Sequence, residues 1–224
     1  MRFKTTLIIA TTLFANNVNA DQNNLKSTNV YLSVDYGQQK SKLKSGGFNT
    51  IGNFSASDND EDKGHTMGVK LGLDLKGKWR FDIAYRKYED QDYTTDSFLP
   101  PTPTFFYISK SKAKTIMATA YYDLFKFKKL KFYGGLGIGA SNVKISTNDG
   151  VVGGSVNERK FSWQTEFGAE YPLTNKLMFN IGLRYVDLGK SKINLETVVG
   201  AAPAGDFTAD LSSREIFLGL RYNF

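Results

Sequence analysis

The chain has no cysteine, which excludes disulfide staples, thiolate metal sites and cysteine nucleophiles. It has one histidine and five prolines in 224 residues. After residue 20, no stretch approaches the ~20 consecutive apolar residues of a membrane-spanning helix. No long 3.6-residue periodicity runs through the chain, and no basic cluster is interleaved with aromatics in the manner of a nucleic-acid binder. Nucleic acid is therefore not an expected partner. Glycine (21), phenylalanine (17) and tyrosine (12) are plentiful, a composition that suits β-structure.

The start reads as an export signal. Arg2 and Lys4 precede a short apolar run, Leu7 to Ala15, and small residues Val18 and Ala20 precede Asp21. This order of charge, apolar core and small residues predicts cleavage between Ala20 and Asp21. The expected organisation is an export signal over 1–20 and one domain over 21–224. Losing Arg2 and Lys4 lowers the formal charge from +7 to a mildly basic value, consistent with a solvated surface.

Eight segments alternate with period two: roughly 29–38, 66–76, 79–88, 114–125, 131–142, 160–171, 177–188 and 214–224. Each is near the ~9–11 residues a tilted transmembrane strand needs. Short connections near 77–78, 126–129 and 172–176 alternate with long ones at 39–65, 89–113, 143–159 and 189–213. That rhythm predicts an all-β, eight-stranded antiparallel up-and-down transmembrane β-barrel.

Alternation defines two faces, and side-chain volume decides which is inside. One parity carries large apolar residues such as Val30, Leu71, Phe81, Ile116, Trp163, Phe167 and Leu183. An eight-stranded lumen is only just wide enough for its own side chains, so this face is expected to meet hydrocarbon. The other parity carries glycines and twelve charges: Asp35, Asp74, Asp82, Asp123, Glu166 and Glu170 against Lys70, Arg80, Arg86, Lys131, Arg184 and Arg221. One cation facing lipid at mid-depth costs ~2–4 kcal/mol, so the charges belong inside. Lys70, Arg80, Asp82, Arg86, Glu166, Glu170, Arg184 and Arg221 are the candidate lumen network. It reads either as a neutralising plug or as a narrow ion path. Aromatics near both strand ends mark the two interfaces: Tyr36, Tyr85, Phe161, Trp163 and Tyr185 at one, Trp79, Phe125, Phe127, Tyr171, Tyr222 and Phe224 at the other.

The stretches "ATAYYDLF…FYGGLGIGAS", "WQTEFGAEYPLTNKLMFNIGLRYVDLG" and "EIFLGLRYNF" resemble the small outer-membrane β-barrel family of Gram-negative bacteria. That family includes the opacity proteins, OmpX-like proteins and the OmpA transmembrane domain. The resemblance is densest over 116–190 and 214–224. It implies residence in the outer membrane and four surface loops. It also implies that Leu220, Tyr222 and Phe224 form a terminal signal read by the barrel-assembly machinery.

Weaker motifs have plainer readings. Gly135 to Ala140 matches a dinucleotide-turn spacing, but no helix follows, so glycines relieving lumen crowding are the better account and no cofactor is expected. "DNDED", 58–62, has Lys63 where a calcium loop needs glycine. A solvated acidic loop is expected rather than a metal site, with Asp58, Asp60 and Asp62 the ligands in the alternative. His65 sits near the outer rim, where some barrels that modify lipid A keep a catalytic histidine, but no serine or acid is fixed beside it by strand geometry. The apolar stretch 98–108 reads either as an interaction site or as an extension of the neighbouring strands above the membrane. The expected function is a non-enzymatic barrel whose loops mediate adhesion or envelope contact. The expected partners are outer-membrane lipid or lipopolysaccharide and host surface or matrix proteins. A purely structural barrel or a narrow pore is the alternative.

Overall fold

A computed structural model describes residues 28–48, 55–56, 60–75, 77–99 and 102–224. Among the described residues, ten β segments occur: β1 (Asn29–Phe48), β2 (Ser55–Ala56), β3 (Asp60–Asp74), β4 (Trp79–Tyr88), β5 (Gln91–Leu99), β6 (Thr102–Phe127), β7 (Leu130–Asn148), β8 (Val152–Pro172), β9 (Leu177–Thr197) and β10 (Pro203–Asn223). They make eight staves. β4 and β5 are successive halves of one stave, because β6 pairs with β5 over its first half and with β4 over its second. β2 adds only a two-residue pairing to β5.

All pairings are antiparallel. β1 lies between β3 and β10, and the β6–β7 ladder joins the ends of the sheet into a ring. The amide of Phe224 donates to the carbonyl of Val30 at 3.0 Å, so pairing continues to the last residue. Closure is obligatory in lipid, where an open edge would leave backbone groups without partners.

The staves run well past the expected strand ends. Much of 39–65, 89–113, 143–159 and 189–213, read above as long loops, is ladder. The 98–108 stretch follows its second reading at the backbone, as the β5–β6 hairpin. The cause lies in the outward residues. On β1 they are Val30, Leu32, Val34 and Tyr36, then Gln38, Lys40, Lys42 and Lys44. On β6, Lys110, Lys112 and Lys114 precede Ile116. Outward apolar residues end part-way up each stave while the ladder continues, so a search for greasy alternation stops too soon.

The interior changes in the opposite sense. Charges and hydroxyls line the lumen inside the hydrocarbon band. Above it lies an apolar core of Leu43, Tyr93, Val143, Ile145, Leu188, Ile193, Leu195, Phe207 and Leu211, all buried. The barrel is therefore inside-out in lipid and right-side-out in water. In β9 a bulge assists the change. Leu211 pairs with Gly189 and Ser212 with Asp187, so Leu188 is the extra residue. Gly189 there has φ +91°, a conformation glycine adopts without steric cost. Arg184 and Val186 point inward below the bulge, Ser191, Ile193 and Leu195 above it. The extra residue thus swaps the parity of the strand.

This core makes the extension a stability element. Phe207→Ala should cost about 3–5 kcal/mol and the outward Lys144→Ala no more than about 0.5. Urea unfolding of the lipid-reconstituted barrel measures both.

Candidate functional site: an ion-filled lumen beneath a folded rim

The lumen charges form two tiers. In the outer tier, Arg184 donates to Glu166 through Nε at 2.9 Å and to Glu215 through Nη1 at 2.7 Å, and its Nη2 lies 3.4 Å from Asp35. Arg86 reaches Asp35 at 3.3 Å, and Lys70 lies 3.5 Å from Asp35 and 3.3 Å from Glu166. Three carboxylates thus face three cations. In the inner tier, Glu170 takes Arg80 at 2.5 Å and Arg221 at 3.0 Å. Asp123 pairs with Arg80 at 3.1 Å and Lys131 at 2.9 Å, and Asp74 with Arg221 at 3.1 Å. The count is again three against three. Buried ions survive only in such arrangements, because desolvation exceeds any single attraction.

Of the eight candidate lumen residues, seven enter these tiers. Asp82 lies between them and, with no ion pair within 4 Å among the described residues, accepts a bond from the Tyr31 hydroxyl at 3.1 Å. Glu215, buried between Arg184 and Arg86, was missed. Its position in the alternating last strand was the available signal. A gap of about 10 Å³ lies between the tiers, bounded by Tyr31, Lys70, Arg80, Asp82, Tyr121 and Glu166 among others. That is room for about one water.

The large apolar parity faces outward as expected, but the other parity also brings large side chains into the lumen. Tyr31, Met117, Tyr121, Tyr133 and Phe217 are all buried there. They fit because each ring faces a glycine across the ladder: Tyr31 opposite Gly72, Tyr121 opposite Gly135, Tyr133 opposite Gly168 and Phe217 opposite Gly182. A Cβ at Gly135 would sit 2.6 Å from Tyr121, and one at Gly182 2.6 Å from Phe217. Three of these rings also have a guanidinium over them. Arg184 stands 4.2 Å from the Phe217 ring centre, Arg80 4.7 Å from Tyr133 and Arg221 5.0 Å from Tyr31. Glycine, ring and arginine form stacked triplets, and cation–π attraction adds to the ion pairs. The composition showed the glycines, but their partners depend on cross-strand register.

The other marked residues fall as follows. Leu220, Tyr222 and Phe224 point outward at the end bearing the short turns, and Tyr222 meets Phe224 edge-on at 5.2 Å. Ala20 and Asp21 lie outside the described residues, as does Asp58. Asp62 is taken up locally, accepting from the amides of Lys63 and Asp92. His65 belongs to β3 rather than to a loop, and its ring stacks on Tyr36 at 5.3 Å. The expectation that no acid is fixed beside it is corrected: the Glu89 amide donates to the His65 carbonyl, and the Glu89 carboxylate accepts from the His65 backbone amide.

The family model described as "Outer membrane protein beta-barrel domain" matches residues 6–224. The chain belongs to this family. Its place is the cell outer membrane, with the short turns in the periplasm and the long hairpins outside. Outer membrane protein PagN of Salmonella typhimurium is 26% identical over 171 residues, covering 70% of this chain and 72% of PagN. Among solved structures, OprG of Pseudomonas aeruginosa superposes with a TM-score of 0.56 at 15% identity, covering 88% of this chain and 96% of OprG. The outer-membrane protease OmpT of Escherichia coli gives 0.52 at 11% identity, covering 88% and 97%. At such identities the two structures speak to the barrel fold alone.

Two outcomes test the lumen. Arg184→Met should lower unfolding stability by about 3–5 kcal/mol, and Lys131→Met, at the half-exposed end of its tier, by about 1 or less; denaturant titration in bilayers compares them. Gly135→Val should abolish the heat-modifiable folded band on a gel, and Tyr121→Ala in the same chain should restore it.

Proposed function

We propose that this chain is a non-enzymatic adhesin-type barrel, in which a rigid, non-conducting wall holds a folded rim clear of the membrane to contact a host surface or matrix protein. The observation that carries this reading is the rim itself. From Tyr185 to Thr197, β9 rises roughly 30 Å above the interface at the usual strand rise and tilt. Over that height the barrel has its own apolar core. A chain serving only to stiffen the wall has no need of it.

Two of the hairpin tips supply a contact surface. The hairpin tips at 149–151 and 198–202 are joined by a bond from the amide of Val198 to the carbonyl of Val151 at 2.8 Å. Val151, Val198 and Val199 are exposed there, Val199 by 89%. Apolar residues grouped at the tip of a rigid element suit protein contact. The non-enzymatic reading draws on His65, whose ring packs on Tyr36. The lumen favours a plug over a pore, since the gap between its tiers holds about one water. Export through a signal cut after Ala20 and assembly through Leu220, Tyr222 and Phe224 complete the proposal.

The decisive variant is Val151→Asp/Val198→Asp/Val199→Asp. Bacteria carrying it should bind host cells and immobilised matrix proteins at most as well as bacteria lacking the protein. Binding equal to the parent strain would defeat the adhesin reading and leave the purely structural one. Planar-bilayer recording should give no conductance steps.

A further inference from the structure

We propose that the rim binds an extended polypeptide segment, alternating apolar with acidic residues, which adds as a strand at a seam between β8 and β9. As the point of attachment for a host protein, this site rests on the adhesin reading above. Pairing between β8 and β9 runs from Pro172–Met178 up to Trp163–Asp187, then lapses until Gly153–Glu196. Over that interval β8 keeps its ladder to β7, and β9 keeps its ladder to β10. Residues 154–162 and 188–195 are therefore two strand edges within a closed wall. The seam begins at the outer aromatic girdle, beside Phe161 and Trp163. Below that level lipid forbids unpaired backbone, and above it water tolerates it.

Two observations mark the edges as separate. At the foot of the seam, the Leu188 carbonyl accepts from the Ser141 hydroxyl of β7 at 2.6 Å, and the Gly189 amide donates to the Asp187 carboxylate at 2.9 Å. Side chains there cap backbone groups of β9. The inward row of β8 is also wet. Glu158 and Lys160 stand opposite Val143 and Ser141 across the β7 ladder, pair with each other, and remain 33% and 30% exposed. Val143 and Ser141 are buried, as are Ser191 and Ile193 on β9. Water therefore reaches the inner face of β8 along the seam.

The lining shows what kind of chain fits. A free strand edge is a template for another strand, and the side chains of an added strand alternate between the two faces of the wall. On the inner face they adjoin Val156, Ile193 and Leu195 of the upper core. On the outer face they adjoin Arg159, Lys190 and Lys192. Asp206 holds Lys192 from the β10 side and Asp210 faces Lys190, whereas Arg159 has no ion pair among the described residues. Glu158, the one carboxylate within 154–162 and 188–195, is turned inward and held by Lys160. Inner positions of the added strand thus take apolar residues and outer ones carboxylates. A sulfated sugar would answer Arg159 and leave the backbone edges unmet.

The test uses the whole barrel in phosphatidylcholine nanodiscs, with a short fluorescent peptide alternating valine and glutamate as probe. The parent should bind it. Two versions N-methylated at alternate residues, one in each phase, keep every side chain. The phase that removes the donors facing the barrel should bind about fivefold more weakly per bond removed. Lysine in place of glutamate should weaken binding about tenfold, and Arg159→Glu should narrow that difference. Gly154 lies against the Asn194 carbonyl, so Ser155 and Asn194 flank the upper seam. The chain has no cysteine, so a short bis-maleimide can bridge Ser155→Cys/Asn194→Cys alone. The bridged protein should lose the peptide and the unbridged one keep it, with the heat-modifiable gel shift checking that both are folded. No binding by the parent, equal binding of all three valine–glutamate peptides, or undiminished binding after bridging would each overturn the site. The Val151→Asp/Val198→Asp/Val199→Asp variant should bind the peptide as the parent does, so the fate of the adhesin reading is measured separately, on bacteria.

Discussion

Part-way up each stave, the medium outside the wall changes from hydrocarbon to water. Below that level the outer face gains nothing from hiding apolar groups, because lipid is as apolar as they are. Polar groups are then driven inward, where only other polar groups can satisfy them. Above it water returns and apolar groups are driven in. The change occurs near Tyr36 on β1, Met67 on β3 and Ile116 on β6. The ionic lumen, the apolar upper core and the cationic row at the boundary, where Lys40 faces both Lys63 and Arg214, all follow from it.

Inside the membrane the problem is to fill a narrow tube with charge at no net cost. Balanced tiers solve the electrostatic part, with each guanidinium shared between carboxylates so that no ion stands alone. The glycine–ring–arginine triplets solve the steric part. A glycine on one stave makes space for a ring from the next, and the flat face of the ring supports a planar cation. Arg184 shows both devices at once, bound by Glu166 and Glu215 and stacked on Phe217 over Gly182. These contacts are interdependent, and the ladders that carry them run on into the rim above.

The rim is a water-soluble barrel grafted onto a membrane barrel without a linker. Continuity of the ladder joins the ion-filled lumen to the hairpin tips. The rim offers two regions with different chemistry: the joined tips with their exposed valines, and the seam where pairing between β8 and β9 lapses. One suits apolar contact and the other strand pairing, and nothing requires them to act together.

Sequence by itself determined the class of the fold, the hydrocarbon-facing parity and the sorting of twelve charges to the other face. These depend on a period of two and on the cost of charge in lipid, both local properties that each strand displays alone. It did not determine the strand lengths above the membrane, since the signal sought was outward grease and the outward residues there are lysines. It missed the rings in the lumen, the place of Glu215, the bond from Tyr31 to Asp82 and the row of facing cations. Each of those depends on register: which residue of one stave stands opposite which residue of the next. Only closure of the ring decides that, because residues as far apart as Lys63 and Arg214 become neighbours through a strand that pairs with both.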